Sequence, residues 1–243
     1  MPVQTEEMKD GDPLRVCVEG YGFLPVDKDA FKGEIPNIKN MVPFSPFDFY
    51  LKRKLYVHNL GHATCVYLGN ILGLEYIYQS IDKDEVYIIV RGAMEESARV
   101  LSKKYGVALE DILLHITDLL NRFTNAALKD TCQRVGGDPA RKLSPDDRLI
   151  GSSKLALEMG ITPAYITIGA AAGLRRYLDE VDGCEQTLEC AKRVLCEHCK
   201  LDADENLTKM ILDMYKMIVD GKTLAEIRRA ADAIIADKLV DVI

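Results

Sequence analysis

The 243-residue chain has no tryptophan, and aromatic residues make up only 7% of it. Flat aromatic surfaces that stack on nucleic-acid bases or sugars are therefore not prominent. The chain also lacks an apolar run of 18 or more residues, so the sequence predicts no membrane-spanning segment. Its 31 basic and 38 acidic side chains give a net charge of -7. It thus lacks the positive excess of proteins that bind nucleic acid through phosphates.

The first residues are acidic and polar, and no basic patch leads into an apolar stretch, which is not the pattern of a secretory signal peptide. The default interpretation of the cysteines is therefore reduced thiols in the cytoplasm, several of them buried. The last four cysteines are spaced by six, six and three residues. Structural zinc sites usually pair two close Cys-x2-4-Cys units, so no metal site is predicted. The seven cysteines are Cys17, Cys65, Cys132, Cys184, Cys190, Cys196 and Cys199.

Hydrophobic spacing predicts a mainly α-helical fold that follows a short β segment. Residues 14–19 alternate apolar and polar side chains as a half-buried strand does. Residues 23–26 form a second candidate strand, which Pro25 would place at a sheet edge. From about residue 45 the apolar spacing becomes helical. The predicted helices cover about 47–72, 86–105, 109–123, 150–159, 163–179, 185–200, 204–219 and 223–240.

The first predicted helix contains Gly61 and Gly69, which lie eight residues apart on one side. Each glycine costs about 1 kcal/mol relative to alanine in a helix, so we expect another helix or a ligand to approach closely there.

The same helix carries three polar side chains that could act at one point. At 100° per residue, Lys54 and Asn59 lie 140° apart and His62 falls between them. A lysine partly desolvated by neighbouring apolar side chains would have a lowered pKa and could exchange a proton near neutral pH. An asparagine can hydrogen-bond an oxygen that becomes negative. A basic solvent-facing turn with a core histidine explains the same residues, so spacing alone leaves both interpretations open.

Residues 130–148 contain two glycines, two prolines and many charges, which predicts a long ordered loop of the kind that is often functional. Four of its cations lie within 15 residues: Arg134, Arg141, Lys142 and Arg148. Such a cluster suits a phosphate, because arginine binds it in a bidentate manner and lysine adds a point charge. The alternative is a solvated loop whose cations are offset by Asp138, Asp146 and Asp147.

Lys54-x4-Asn59-x2-His62 resembles the K-x4-N-x2-H signature of the polyol-specific long-chain dehydrogenases. Further segments, in order along the chain, resemble the mannitol-1-phosphate 5-dehydrogenase branch of that family. They are VDKDAFKGEIP at 26–36, KLYVHNLGHA at 54–63, GAMEES at 92–97, LKDTCQRVGGDPARKLSPDDRLI at 128–150 and GAAAG at 169–173. The resemblance runs from about Leu14 to the end and thins after residue 180.

The resemblance implies metal-independent hydride transfer between NAD and a sugar-alcohol carbon. It implies that Lys54 is the general acid/base, that Asn59 steadies the alkoxide, and that His62 contacts a substrate hydroxyl and helps to fix the lysine.

The resemblance also implies a substrate-binding pair in the broken loop, since Arg134 and Lys142 fill the family's R-x7-K pattern. Arg141 and Arg148 are added as further substrate-binding cations. Similar proteins often carry arginine at the position of Gly137, so one potential phosphate contact is missing here.

The dinucleotide-binding unit that such an enzyme needs, a strand followed by G-x-G-x-x-G and a helix, is not found in this sequence. Residues 20–22 lack the third glycine. We therefore expect a flexible N-terminus over 1–12, a β remnant or linker of the cofactor domain over 13–35, and a helical mannitol-dehydrogenase-type C-terminal domain over 36–243. No residue of the chain is predicted to bind the cofactor, which a Rossmann domain, in cis or in trans, would hold.

The resulting hypothesis is a cytoplasmic domain of an NAD-dependent polyol-phosphate dehydrogenase that interconverts mannitol 1-phosphate and fructose 6-phosphate. The chain alone is expected to be inactive. The alternative is a non-catalytic, stand-alone helical domain that binds a sugar phosphate or a protein partner. The expected partners are the substrate, the cofactor domain and a second copy of the chain, but neither nucleic acid nor membrane.

Overall fold

The computed structural model describes residues 6–16, 18 and 22–240, and the protein is mainly helical, as predicted. Two strands, β1 (Leu24–Asp27) and β2 (Met41–Phe44), precede most of the helices. The helices are α1 (Glu6–Lys9), α2 (Asp48–Arg53), α3 (Asn59–Ile71), α4 (Ile77–Ile81), α5 (Asp84–Tyr105), α6 (Leu109–Phe123), α7 (Cys132–Gly136), α8 (Pro139–Lys142), α9 (Ile150–Glu158), α10 (Ala164–Tyr177), α11 (Leu188–Glu197), α12 (Asn206–Val219) and α13 (Leu224–Val240). Two π-helical segments, Lys54–His58 and Leu178–Asp182, and a 3-10 turn, Ala126–Leu128, complete the regular structure of this part of the chain.

The two strands pair in parallel, with Leu24 opposite Met41. Strand β1 confirms the strand predicted at 23–26, whereas β2 was missed because four residues interrupted by a proline carry little signal. The strand predicted at 14–19 is wrong for residues 14–16 and 18, which are not in a strand. Leu14 is 86% exposed, so nothing buries the apolar face that the alternation suggested. Residues 17 and 19 of that prediction lie outside the described residues.

Aromatic packing attaches the strand pair to the helices. The ring of Phe44, at the end of β2, meets Tyr50 of α2 edge-on at 4.8 Å between centroids. Phe49, the residue before Tyr50, packs edge-on against Tyr105 of α5, with 5.7 Å between the ring centroids. The Tyr105 hydroxyl donates a hydrogen bond to the Asp48 carboxylate. Together these contacts hold the strands beside the start of the helix that carries Lys54.

Helix α3 lies at the centre of the helical body, and its glycines let the neighbouring helices approach it. A Cβ placed on Gly61 would lie 2.5 Å from the Met94 sulfur of α5, and one on Gly69 would clash with Ser80 of α4. The close approach expected at these two glycines is therefore confirmed, and it comes from helices.

Helix α10 packs against the other side of α3 in the same manner. A Cβ on Gly173 would lie 3.0 Å from the Tyr67 ring, and one on Gly169 would clash with Thr64. The GAAAG segment thus serves as the contact surface for α3, because only small side chains allow the two backbones to come this close.

A buried carboxylate fixes the start of α10. Glu96 of α5 is 3% exposed, and its side chain accepts hydrogen bonds from the backbone N–H groups of Tyr165 (2.9 Å) and Ile166 (3.0 Å). Helix α10 has no capping side chain of its own at Pro163. Glu96 therefore satisfies N–H groups that the first turn of any helix leaves free.

The loop predicted at 130–148 is wrong in part, because it contains the short helices α7 and α8. Each begins at a capping side chain: Thr131 accepts from the Arg134 N–H at 3.1 Å, and Asp138 accepts from the Arg141 N–H at 3.3 Å. Helices of four or five residues leave too little apolar periodicity to detect. Helix α4 was missed for the same reason.

A capping box begins α13. The Thr223 N–H donates to the Glu226 carboxylate at 2.9 Å, and the Glu226 N–H donates back to the Thr223 hydroxyl at 3.3 Å. None of the helices in the described ranges is both long and apolar enough to cross a membrane.

The prediction of reduced thiols is wrong for one pair of cysteines. Cys184, just before α11, is joined by a disulfide bond to Cys190 in the first turn of that helix. A pairing across only six residues depends on local backbone geometry, which cysteine spacing alone does not reveal.

Replacing Glu96 by glutamine is expected to destabilise the protein by about 1–3 kcal/mol, because the amide nitrogen cannot accept from a buried N–H group. The measurement is urea unfolding. Glu95→Gln is the matched control, since Glu95 makes a surface ion pair with Arg91 and its loss should cost no more than about 1 kcal/mol. Equal losses in the two variants would contradict the capping role of Glu96.

Candidate active site

A π-helical segment separates Lys54 from Asn59, and it changes the geometry that an α-helix would give. The Asn59 N–H donates to the Lys54 carbonyl, which is an i to i+5 hydrogen bond. One wider turn therefore places Asn59 above Lys54 on nearly the same side, where a regular helix would separate them by 140°. His62 follows less than one α-helical turn later. The three predicted catalytic side chains thus share one side of this helix.

The predicted burial of Lys54 is wrong in this chain. Lys54 is exposed and Asn59 is half-buried, and the neighbouring Leu51 is 56% exposed. No apolar side chain in the described residues therefore desolvates the amine.

His62 is held more firmly than Lys54. Its imidazole stacks on the Phe123 ring of α6 at 4.2 Å between centroids and meets the His58 ring edge-on at 4.8 Å. Burial and, secondly, the neighbouring His58 hold the pKa of His62 well below its usual value. The imidazole is therefore neutral at pH 7 and can both donate and accept a hydrogen bond.

His62 borders a narrow recess with room for about one water molecule. The other lining residues come from α4, α6 and the segment that precedes α7. They are Ile77, Tyr78, Phe123, Asn125, Leu128 and Asp130. This recess joins the two parts of the site that the sequence treated separately, the Lys54 helix and the charged loop.

Backbone hydrogen bonds fasten the start of the charged loop beside α4. The Ile77 N–H donates to the Asp130 carbonyl at 3.0 Å, and the Cys132 N–H donates to the Glu75 carbonyl at 2.7 Å. Between them, Thr131 forms a β-bridge with Tyr76. Helix α7 and its Arg134 are thereby placed next to the recess.

Lys142 has a structural role in the described conformation. It is 5% exposed, and its ammonium donates to the carbonyls of Val135 (2.8 Å) and Gly137. Burial, with the nearby Arg148 and Arg141, lowers the pKa of Lys142 to about 8. The side chain thus bridges α7 and α8, and only a rearrangement would free it for a ligand.

The three arginines of the loop are paired with aspartates. Arg134 pairs with Asp130, Arg141 pairs with Asp138 at 2.7 Å, and the buried Arg148 pairs with Asp147 at 2.7 Å. The loop therefore does not offer unpaired cations to an anion, as the alternative of an offset loop also predicted. Burial is the main cause of the low pKa of His62, and the charges of His58, Arg122, Arg148 and Arg134 add to it in that order.

Sequence reasoning missed four residues at the recess: Tyr78, Phe123, Asn125 and Asp130. Phe123 belongs to a predicted helix that was interpreted only as a packing element, and Tyr78 belongs to α4, which was not predicted. Asp130 carried a usable signal, since a carboxylate four residues before Arg134 suits an ion pair on adjacent turns. Only the later aspartates of the loop had been considered as its counter-charges.

Gly137 is not required by backbone geometry. Its φ is −57°, and an added Cβ would meet the Arg134 carbonyl oxygen at 3.3 Å, which is tighter than most Cβ contacts. A side chain at this position would therefore fit only after a shift of a few tenths of an ångström.

The sequence profile of the mannitol dehydrogenase C-terminal domain family matches residues 47–234, which is most of the chain. The chain belongs to this family. The match begins directly before α2 and includes Lys54, Asn59, His62 and the charged loop. The strand pair β1–β2 precedes it.

Two relatives within the mannitol dehydrogenases carry the same function name. The mannitol-1-phosphate 5-dehydrogenase of Caldanaerobacter subterraneus subsp. tengcongensis is 41% identical over 162 residues, which cover 67% of this chain and 42% of the relative. The mannitol-1-phosphate 5-dehydrogenase of Thermoanaerobacter pseudethanolicus is 37% identical over 184 residues, 75% of this chain and 47% of the relative. The chain thus spans less than half the length of either relative.

Solved structures share the fold. One is Pseudomonas fluorescens mannitol 2-dehydrogenase in a ternary complex with NAD and D-mannitol, which superposes with a TM-score of 0.62 at 15% identity. The superposed region covers 82% of this chain and 43% of the Pseudomonas chain. A substrate-free D-sorbitol dehydrogenase superposes with a TM-score of 0.56 at 16% identity. The superposed region covers 77% of this chain and 42% of the sorbitol dehydrogenase chain. The helical architecture is therefore that of mannitol dehydrogenase C-terminal domains.

The described residues contain no group of three or more His, Cys, Asp or Glu side chains arranged to hold a metal ion. Metal independence stays a prediction for this member of the family.

Lys142→Met is expected to lower the stability of this mannitol dehydrogenase domain by about 2 kcal/mol, because two carbonyls lose a charged donor. Thermal and urea unfolding measure the change. Lys104→Met serves as the control, since Lys104 is exposed on α5 and its replacement should alter stability by less than about 0.5 kcal/mol. A Lys142 variant as stable as the wild type would mean that the lysine is available to a ligand.

Proposed function

We propose that the chain is the substrate-binding and catalytic part of an NAD-dependent polyol-phosphate dehydrogenase that interconverts mannitol 1-phosphate and fructose 6-phosphate. The observation that carries the proposal is the alignment of Lys54, Asn59 and His62 on one helix side by the π-helical turn. Local π-helical turns within α-helices occur frequently at functional sites. Family membership and the names of the two relatives support the choice of substrate.

Lys54 would act as the general base in polyol oxidation and as the general acid in the reverse direction. As a neutral amine it takes the proton of the substrate hydroxyl while the hydride leaves the same carbon. NAD, when bound, supplies the hydride acceptor. Asn59 donates a hydrogen bond to the oxygen that carries negative charge during this transfer.

His62 would position the substrate without changing its charge. Because its pKa is held low, the neutral imidazole can accept from one hydroxyl and donate to another. Stacking on Phe123 fixes the ring plane and hence the direction of both hydrogen bonds.

The cations of the charged loop would have different roles in binding the rest of the substrate. Arg141 is half-exposed and its nearer partner Asp138 is exposed as well, whereas Asp147 lies farther away at 3.7 Å, so a phosphate can displace Asp138 at low cost. Arg148 and Lys142 are buried and hold the loop in shape. Arg134 pairs with Asp130, which lines the recess of His62, and would therefore contact the hydroxyl chain.

The site needs a second surface, which we assign to an N-terminal Rossmann domain that joins in cis or in trans. Lys54 is exposed, and the recess is far too narrow to enclose a six-carbon polyol. The parallel pair β1–β2 supports the same conclusion, because two parallel strands are marginal unless they extend a larger covered sheet. In this proposal residues 13–35 are the last part of the cofactor domain or its linker, and 36–243 form the helical domain. The complete enzyme would be cytoplasmic and metal-independent.

A non-catalytic role as a sugar-phosphate or protein-binding domain is the second candidate. The exposed Lys54 and the fully paired arginines of the loop favour it, since neither is prepared for chemistry in the chain alone. The two candidates differ in what a cofactor domain adds. The proposed enzyme becomes active when one is joined, whereas a binding domain does not.

The catalytic proposal predicts that Lys54→Ala, in the chain fused to the cofactor domain of a relative, lowers kcat by about 100- to 10,000-fold. Steady-state NADH oxidation with fructose 6-phosphate measures the change. Lys52→Ala removes the same charge two residues earlier, from a side chain that contacts Tyr56, and should keep kcat within about threefold. Unchanged turnover in Lys54→Ala would sink the assignment. Micromolar binding of NADH to the unfused chain would refute the need for a separate cofactor domain.

Arg141→Ala in the same fusion is expected to raise the KM for fructose 6-phosphate about tenfold, because one charge-assisted contact to the phosphate is lost. The KM for unphosphorylated fructose should stay unchanged. Arg99→Ala, which removes a half-exposed arginine from α5, is the control. An unaltered KM for the phosphorylated sugar in Arg141→Ala would refute the phosphate role.

A further inference from the structure

Asp130 joins the two parts of the candidate site, yet the proposed function assigns it no task. Its carboxylate pairs with the guanidinium of Arg134. The Asp130 side chain is 17% exposed and that of Arg134 is 52% exposed. The carboxylate is therefore the inner partner, and the guanidinium is the outer one.

The backbone around Asp130 is held on both sides. The Asp130 carbonyl accepts from Ile77, and Thr131 is bridged to Tyr76. The Thr131 hydroxyl in turn accepts from the Arg134 N–H at 3.1 Å and so begins α7. Both ends of Arg134, its backbone and its guanidinium, are thus fixed by residues that α4 anchors.

Asp130 also faces the substrate side of the molecule. It lines the same recess as His62, and its ion-pair partner Arg134 follows one helical turn later on α7. A carboxylate at this place has two consequences. It holds the guanidinium beside a residue that lines the recess, and it cancels most of the positive charge that an approaching anion would meet.

A guanidinium has five N–H donors, and one carboxylate occupies at most two of them. The remaining donors can bind a neutral oxygen without disturbing the pair. A phosphate dianion, by contrast, would be repelled by the adjacent carboxylate or would have to displace it. The pair is therefore suited to hydroxyl groups and unsuited to phosphate.

Building on the proposed function, we propose that Asp130 is a positioning and specificity residue, which holds Arg134 against the His62 recess and makes it a donor to uncharged hydroxyls. The phosphate is then bound at Arg141, on the outer side of the loop. In this arrangement Asp130 decides which end of the polyol phosphate lies beside His62 and which end lies at Arg141.

The first test titrates inorganic phosphate into the complete 243-residue chain by isothermal titration calorimetry. Asp130→Asn is expected to bind phosphate about fivefold more tightly than the wild type, because Arg134 is released as an anion receptor. The added affinity should vanish in Asp130→Asn combined with Arg134→Gln, and Asp130→Glu should behave as the wild type. Asp237→Asn on α13, which removes the same charge from an exposed position, controls for net charge. A misfolded variant would lose affinity for phosphate, so a gain of affinity cannot be explained by structural damage.

No gain in Asp130→Asn, or a gain that survives the loss of Arg134, overturns the proposal. The titration involves no turnover, so it can fail or succeed independently of the Lys54→Ala experiment. In the fused enzyme, Asp130→Asn should lower kcat for the polyol phosphate without raising its KM, because a phosphate held at the freed Arg134 is bound in a non-productive orientation, and Asp130→Glu should restore kcat.

The wild-type chain supplies a second measurement if Asp130→Asn does not fold. Arg134 and Arg99 are 52% and 54% exposed, but the partner of Arg99 lies at 3.7 Å. Phenylglyoxal should therefore modify Arg134 several-fold more slowly than Arg99, as followed by peptide mass spectrometry. Equal rates would show that Asp130 does not restrain the guanidinium.

Discussion

The close contact of α3 with its neighbours is the constraint on which the rest of the structure depends. Gly61 admits Met94 of α5, and Gly173 admits the ring of Tyr67 against α10. Interiors packed this tightly do not deform gradually, so α3 has one position in the helical body. The position of α3 therefore also fixes the position of the polar residues that precede and begin it. A site built on such an element is more precise than one built on loops alone.

The helix departs from regular α geometry only where the polar side chains begin. The i to i+5 hydrogen bond between Lys54 and Asn59 widens a single turn, and α3 continues normally after it. Because the wider turn lies outside the glycine contacts, it alters the direction of side chains without disturbing the core. His62, two turns from Lys54 and stacked on Phe123, is the point at which the flexible and the packed parts of the helix meet.

Charge in the candidate site is organised by pairing. Each arginine of residues 130–148 has an aspartate partner, and Lys142 donates to two backbone carbonyls. Neutral pairs of this kind bind hydroxyl groups without the desolvation cost of a bare charge. The differences that remain are differences of exposure: Arg148 is buried, whereas Arg134 and Arg141 are about half-exposed. Exposure, more than charge, therefore distinguishes their roles.

The sequence alone determined the helical class and the long helices, because these depend on local periodicity, and motif spacing only named candidates for the site. The strand predicted at 14–19 failed, since alternation without a surface to bury Leu14 has no structural consequence. Short helices such as α7 and α8 were missed because capping, and not apolar spacing, specifies them. Only the tertiary structure decided that Lys54 is exposed, that Lys142 is buried and that Asp130 restrains Arg134. Burial and ion pairing depend on which distant segments meet, and a linear order of residues does not contain that information.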